Sequence, residues 1–125
     1  MPTSDKLRER IAGYVKAVNS RDPEVIAACF TEGAVHADPV SNPPNLGRAA
    51  ITTFFENGIA ASDGWTFTAK TVHTCADHVA VDFAIAVLTG GATMTIEGIE
   101  VFAVDDDGLF RSVHAYWDDA DLSIS

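Results

Sequence analysis

The sequence predicts an α+β protein in which a curved antiparallel sheet wraps around three helices. Two observations predict this class. Three helical patterns occupy roughly the first half of the chain, and segments with apolar residues at every second position fill the second half. Helices followed by strands that tight turns join are typical of α+β folds, because such strands pair with their neighbours in sequence.

Length and composition indicate one domain spanning residues 1–125. A chain of 125 residues that is 47% hydrophobic can bury a stable core without disulfides or a metal. The formal net charge of −10 repels nucleic acid and anionic membranes. Cys29 and Cys75 lack the spacing of a redox or metal motif. We therefore expect a cytoplasmic protein that binds neither nucleic acid nor membrane.

The first helix begins after Thr3 or Ser4, either of which can cap it. Its apolar residues recur at helical spacing, so one face is predicted to be buried, and Tyr14 lies on that face. The predicted buried face comprises Leu7, Ile11, Tyr14, Val15 and Val18.

A second helix is predicted from "DPEVIAACF", with Asp22 as the N-cap and Pro23 in the first turn. Gly33 is expected to end it. The side chains predicted to face inward are Val25, Ile26 and Phe30.

A short strand and a third helix follow. The strand is predicted over Ala34–Asp38, and a loop with two prolines then leads to Gly47. The helix is predicted over Arg48–Asn57 and is expected to end at Gly58. Its buried face comprises Ile51, Phe54 and Phe55.

The rest of the chain predicts four strands. "WTFTAKTVHTCA" and "VAVDFAIAVL" alternate with period two, and "MTIEGIEVFAV" and "FRSVHAYW" complete the meander. Gly90 and Gly91 supply the positive φ that a tight hairpin needs. A curved sheet does not close fully onto three short helices, so we expect a cone-shaped cavity lined by alternate strand residues.

Three polar residues fall among the apolar positions. Tyr14 lies on the buried face of the first helix, and Asp38 ends a strand next to Pro39 on the face of Val40. Glu100 lies in "GIEVF", where both faces of the strand are apolar. Each residue also has an ordinary interpretation: a core tyrosine, an Asp-Pro turn and a solvated strand residue.

The combination resembles bacterial Δ5-3-ketosteroid isomerase, within the wider NTF2-like (SnoaL-like) superfamily. The resemblance covers essentially the whole chain. It rests on Tyr14, on "FTEGAVHADPV" through Asp38-Pro39-Val40, on "GRAAITTFFENGI", and on "IEVF" and "HAYW". The separation of 38 − 14 = 24 residues between the tyrosine and the aspartate is its most specific part.

The resemblance implies a steroid Δ5-isomerase that works without a cofactor or a metal. Asp38 would be the general base that moves a proton between two carbons of a 3-oxo-Δ5-steroid. Tyr14 and a protonated Glu100 would donate hydrogen bonds to the oxygen that gains negative charge. Glu100 departs from the family, which usually has an aspartic acid there, and Phe55 replaces a tyrosine that some members have.

The resemblance also implies a small apolar, steroid-like substrate and a homodimer formed through the outer face of the sheet. The side chains expected to bind the substrate are Val40, Phe54, Phe55, Phe83, Ile85, Phe102, Ala115 and Trp117.

Two alternatives remain open at the level of sequence. One is a polyketide cyclase or dehydratase on the same scaffold, in which His36 and Asp38, two residues apart on one strand, form the acid–base pair. The other is a non-catalytic protein that binds apolar ligands, with Glu100 ionised or facing outward.

Overall fold

A computed structural model describes residues 2–125 as three α-helices packed against a curved, seven-stranded sheet. The helices come early in the chain and the long strands late, as the sequence predicts. The elements are α1 (Ser4–Ser20), α2 (Pro23–Ala27), β1 (Phe30–Ala37), β2 (Asn45–Leu46), α3 (Arg48–Ala60), β3 (Gly64–Cys75), β4 (His78–Thr89), β5 (Ala92–Val104), β6 (Phe110–Tyr116), a 3₁₀ helix (Asp119–Asp121) and β7 (Leu122–Ile124).

The sheet is mixed rather than purely antiparallel. Its strand order is β2-β1-β6-β5-β4-β3, with β7 paired to β5. The meander from β3 to β6 is antiparallel, as predicted, but β1 pairs in parallel with β6. This one parallel pair places the strand that leads to Asp38 beside the last long strand of the chain.

Helix α1 matches its prediction. The Thr3 side chain accepts a hydrogen bond from the Lys6 amide, and the helix ends where Arg21 adopts a left-handed conformation with φ of 55°. The Arg21 guanidinium then lies 4.6 Å from the centre of the Trp65 ring and donates to carbonyl groups of Ile59 and Ser62. These contacts fasten the end of α1 to the end of α3.

The predicted second helix is too long. It ends at Ala27, Phe30 already starts β1, and Gly33 lies within that strand. Phe30 is fully buried, but as a strand residue, whereas Val25 is 45% exposed and does not face the core. The helical spacing failed here because apolar residues that belong to two elements happened to continue one pattern.

The third helix is longer than predicted and runs through Gly58 to Ala60. Gly58 does not end it. A Cβ at this position would lie 3.5 Å from the Trp65 ring, which is an ordinary van der Waals distance, so the ring packs against the helix without requiring a glycine there. No helix among residues 2–125 is long and apolar enough to cross a membrane.

An aromatic cluster fills the core behind α1. The Tyr14 ring makes edge-to-face contacts with four phenylalanine rings, at centroid distances of 5.2–6.0 Å. Those rings belong to Phe30, Phe67, Phe102 and Phe110. Because strands β1, β3, β5 and β6 each supply one ring, this cluster fixes helix α1 against the concave face of the sheet.

Candidate functional site

A cavity of about 520 Å³ opens between α3 and the concave face of the sheet. Its walls are mostly apolar, and its size is in the range of small-molecule sites. Strand β4 contributes every second residue, as period two requires. The side chains and backbone that line it are Asp38, Pro39, Asn42, Phe54, Phe55, Asn57, Gly58, Ala61, Ser62, Trp65, Phe83, Ile85, Val87, Thr89, Met94, Ile96 and Trp117.

Asp38 is the only acidic residue that the described residues 2–125 contribute to this lining. It is half-buried and follows directly after β1. The indole Nε1 of Trp117 donates a hydrogen bond of 2.7 Å to Asp38 Oδ1. Because one carboxylate oxygen is held by the indole, the other is left to interact with a ligand in the cavity.

The carboxyl group of Glu100 is buried one row of side chains deeper than the cavity lining. On β5, Glu100 pairs with Val81 and Ala115, whereas the row above it holds Gly98 opposite Phe83. Residues two apart on a strand are about 7 Å apart, which sets the depth of this row below the lining. Glu100 is 3% exposed, so the interpretation of this residue as a solvated, outward-facing strand residue is wrong.

Glu100 Oε1 is a buried oxygen without a hydrogen-bond partner among residues 2–125. Burial raises the pKa of Glu100 well above its ordinary value, and the charge of nearby Asp38 raises it further. The site therefore combines a carboxylate at the cavity surface with a deeper carboxyl group that favours its protonated, proton-donating form.

Tyr14 lies beside Glu100 in the core and is 2% exposed. Burial raises the pKa of its phenol well above the ordinary value, and Glu100, Asp38 and Cys29 add smaller effects in the same direction. The phenol is thus a neutral hydrogen-bond donor. Neither Tyr14 nor Glu100 is part of the cavity lining, and Tyr14 instead borders a separate groove together with Cys29 and Phe110.

His36 is fully buried and is not part of the cavity wall. Its Nδ1 hydrogen-bonds the Asn45 side chain at 3.1 Å, and Nε2 has no partner among residues 2–125. The ring packs against Phe54 and Phe55, with centroids 4.8 and 5.5 Å away. Burial lowers the pKa of His36, so a neutral imidazole lies behind the aromatic wall.

The structure places the eight residues expected to bind substrate in two groups. Five of them line the cavity: Phe54, Phe55, Phe83, Ile85 and Trp117. Three do not. Phe102 belongs to the aromatic cluster around Tyr14, Ala115 is buried beside Glu100, and Val40 is 43% exposed. Val40 does not share the face of Asp38 because β1 ends at Ala37 and the chain then turns.

Gly98 also belongs to the site, although it is not among the residues predicted from the sequence. A Cβ there would lie 2.5 Å from the Tyr116 carbonyl oxygen and 3.0 Å from Trp117 Cβ. The glycine therefore permits the close approach that brings Trp117 to Asp38. The available signal was a glycine in the interior of a strand, which often marks a close approach of backbone.

Metal-binding side chains do not converge in the described part of the chain, residues 2–125, where no group of three or more histidine, cysteine or acidic residues has a suitable arrangement.

The buried carboxyl group of Glu100 predicts a pH-dependent stability. Because its pKa is raised in the folded state, the unfolded chain loses this proton first as pH rises, and the folded state is progressively destabilised from about pH 4 up to the folded pKa. Glu100→Gln removes this effect. We expect the variant and the parent to have similar Tm values near pH 4. Near pH 8, the Tm of the variant should be several degrees higher than that of the parent.

Thermal unfolding at a series of pH values measures this difference. Glu97→Gln is the control, since Glu97 lies on the same strand but is exposed and pairs with Lys70 on the surface. A difference between Glu100→Gln and the parent that does not grow with pH would contradict a protonated Glu100.

Comparison with known proteins identifies the family. A family model described as a SnoaL-like domain matches residues 11–113. Among solved structures, the chain is similar to SalBIII, an epoxide hydrolase/cyclase-like enzyme in pyran ring formation in the polyether salinomycin. The two share 27% identity over 100% of both chains, with a TM-score of 0.91.

Two further structures share the fold. RV0760c from Mycobacterium tuberculosis is 23% identical over 100% of both chains, with a TM-score of 0.87. A computationally designed 17-OHP binder is 20% identical over 93% of this chain and 94% of its own, with a TM-score of 0.83. The α+β fold is therefore of the NTF2-like type, and the chain belongs to the SnoaL-like domain family.

Proposed function

We propose that this protein is a cofactor-independent acid–base enzyme that isomerises a 3-oxo-Δ5-steroid to the conjugated Δ4 form. The observation that carries the proposal is that one site contains two carboxyl groups in different environments. Asp38 lies at the surface of an apolar cavity, and Glu100 lies one row deeper, buried and without a partner for Oε1. Such a separation of environments assigns a base and a donor.

In the proposed reaction, the 3-oxo group of the substrate points towards Glu100 and Tyr14. Asp38 takes the proton from the carbon between the ketone and the double bond, and the electrons move onto the ketone oxygen. Hydrogen bonds from the neutral phenol and the neutral carboxyl group, both of which are nearly fully buried, stabilise that negative charge. Asp38 then returns the same proton two carbons further along, so the reaction needs no other reactant.

Ultraviolet absorbance of the conjugated enone tests the proposal with 5-androstene-3,17-dione as substrate. Turnover well above the buffer-catalysed rate supports an isomerase. An inactive parent protein that still binds the Δ4 product would leave a binding protein, which is the non-catalytic alternative.

A second candidate is the opening of an epoxide by a hydroxyl group of the same substrate or by water. It is favoured by the similarity to SalBIII over the full length of both chains. The same residues would serve: Glu100 or Tyr14 protonates the epoxide oxygen, while Asp38 removes the proton from the attacking hydroxyl. A panel of hydroxy-epoxides, followed by mass spectrometry and chromatography, tests this candidate. Cyclisation leaves the mass of the substrate unchanged, whereas hydrolysis adds one water.

A cyclase or dehydratase in which His36 and Asp38 both contact the substrate is less well supported. His36 lies behind Phe54 and Phe55, and its Nδ1 is occupied by Asn45. We assign His36 the role of holding this aromatic wall and strand β2, which carries Asn45, rather than that of transferring a proton.

Trp117→Phe is expected to lower kcat about tenfold and to change KM little. The variant keeps an aromatic ring in the wall but loses the Nε1–H that holds Asp38 Oδ1, so the base samples more orientations. Steady-state kinetics measure the effect. Trp65→Phe is the matched control, because Trp65 also lines the cavity but donates its hydrogen bond to the Val18 carbonyl. Equal losses of kcat in both variants would contradict a specific role for Trp117.

We further propose a homodimer formed through the convex face of the sheet. Ile99 and Tyr116 are cross-strand neighbours on β5 and β6 and are 42% and 50% exposed. Large apolar side chains that lie together on a surface favour association. Sedimentation equilibrium should give twice the chain mass for the parent, and Ile99→Asp should shift the species to the monomer.

A further inference from the structure

The cavity extends well beyond the residues that perform the proposed chemistry. Along β4 it is lined by Phe83, Ile85, Val87 and Thr89, which are alternate residues of one strand. At about 3.4 Å per residue, this lining is roughly 20 Å long. The cavity is therefore an elongated trough that follows β4, and we call it the β4 trough.

Asp38 lies at one end of the β4 trough. Trp117, which binds Asp38, is also close to Gly98, and Gly98 pairs with Phe83. Phe83 therefore marks the reactive end. The opposite end lies at the β4–β5 hairpin, where Val87 pairs with Met94 and Thr89 pairs with Ala92.

The far half of the β4 trough is apolar and partly exposed. Its walls are formed by Trp65, Val87 and Met94 from the sheet and by Gly58 and Ala61 near the end of α3. Two small residues on the helix side leave room above the strands, and Met94 has a flexible side chain that adapts to different shapes. Arg21 and the Val18 carbonyl hold the Trp65 ring in place, so this wall is rigid.

Four fused rings measure roughly 10 Å from end to end at ordinary carbon–carbon bond lengths. A steroid nucleus placed with its ketone near Glu100 thus fills about half of the β4 trough. The remaining half suits a saturated chain, because most of its lining is apolar and its polar residues, Asn57, Ser62 and Thr89, are exposed or half-buried and so can keep contact with water.

We propose that the substrate carries an apolar chain of about eight carbons on the side opposite its reacting ketone or epoxide, and that Met94 and Val87 are the residues that select it. This inference rests on the proposed function for the position of the reacting group. Binding of the apolar chain can be measured without turnover, so an experiment can contradict this inference and the proposed function independently.

The two tryptophans of the chain, Trp65 and Trp117, both line the cavity, so their fluorescence reports binding directly. The probes are 4-en-3-one steroids that differ only in the length of the 17-alkyl chain, from none to about eight carbons, delivered from cyclodextrin. A second series consists of straight-chain methyl ketones of increasing length. Dissociation constants are expected to fall about twofold for each added methylene, less than the roughly fourfold of complete burial because the trough is partly open.

Met94→Asp is expected to abolish this dependence on chain length, since the chain would then pass a charged group. The control is Thr93→Asp, which adds the same charge one residue away on the opposite face of β5, and it should retain the dependence. The inference is overturned if affinity does not rise with chain length in either series, or if Met94→Asp retains the same dependence as Thr93→Asp.

The outcomes also separate this inference from the proposed function. If steroids are isomerised but a longer chain does not raise their affinity, the isomerase activity is supported and the extended substrate is contradicted. If the affinity for methyl ketones rises with chain length but no steroid is isomerised, the extended apolar substrate is supported and the steroid nucleus is contradicted.

Discussion

Asp38→Asn is expected to lower kcat by about 10³-fold while leaving the binding of a neutral product intact. Asparagine has nearly the shape of aspartate, and its carbonyl oxygen can still accept the 2.7 Å hydrogen bond from Trp117. The substitution therefore removes the base without opening the cavity. Rapid-mixing measurements of enone absorbance give kcat, and tryptophan fluorescence gives the affinity for the product.

The control for charge is Asp119→Asn. Asp119 is exposed and lines a neighbouring groove together with Trp117, so this variant removes the same negative charge near the same end of the cavity. It should keep kcat within about twofold, since an exposed charge is largely screened. If Asp38→Asn retained a tenth of the parent activity, another group would have to be the base.

Gly98→Ala is expected to destabilise the protein by about 2 kcal/mol and to reduce activity as well. The added Cβ would lie 2.5 Å from the Tyr116 carbonyl oxygen and 3.1 Å from the Phe83 ring. A backbone carbonyl within a strand cannot move aside as a side chain can. The middle of β5 and the end of β6 must separate, and Trp117 then moves away from Asp38.

Gly33→Ala is the matched control for Gly98→Ala. Gly33 is also a strand glycine, but its added Cβ would have no neighbour within 4 Å. Its replacement should be neutral or slightly stabilising, because alanine restricts the unfolded chain. Urea unfolding followed by circular dichroism measures both variants. Equal stabilities would show that the strands tolerate a side chain at Gly98.

The fold was predictable because the strongest patterns are local. Alternation in β4 correctly gave Val79, Val81 and Phe83 as inward residues, and two glycines with positive φ form the predicted turn at 90–91. The errors lie where one element gives way to another. Apolar spacing ran through the junction between α2 and β1, and the helix end predicted at Gly58 is wrong because α3 continues to Ala60.

The site was predictable only in part, for a similar reason. The inward face of Glu100 could not be read from its own strand, because both faces are apolar; it follows from its pairing with Val81 and Ala115. The sequence also extended the face of Asp38 to Val40, although the strand ends before either residue. The hydrogen bond from Trp117 joins elements that no local pattern relates.

The parallel pairing of β1 with β6 also has a consequence for how the protein folds. Asp38 and Trp117 are 79 residues apart in the chain, and Trp117 follows the last long strand. Contacts between distant residues form slowly, because closing a long loop costs entropy before any contact repays it. The hairpins of β3, β4 and β5 can form from neighbouring segments, whereas the contact that orients Asp38 waits for the end of the chain. A nascent chain released before β6 would have much of the apolar wall but no positioned base.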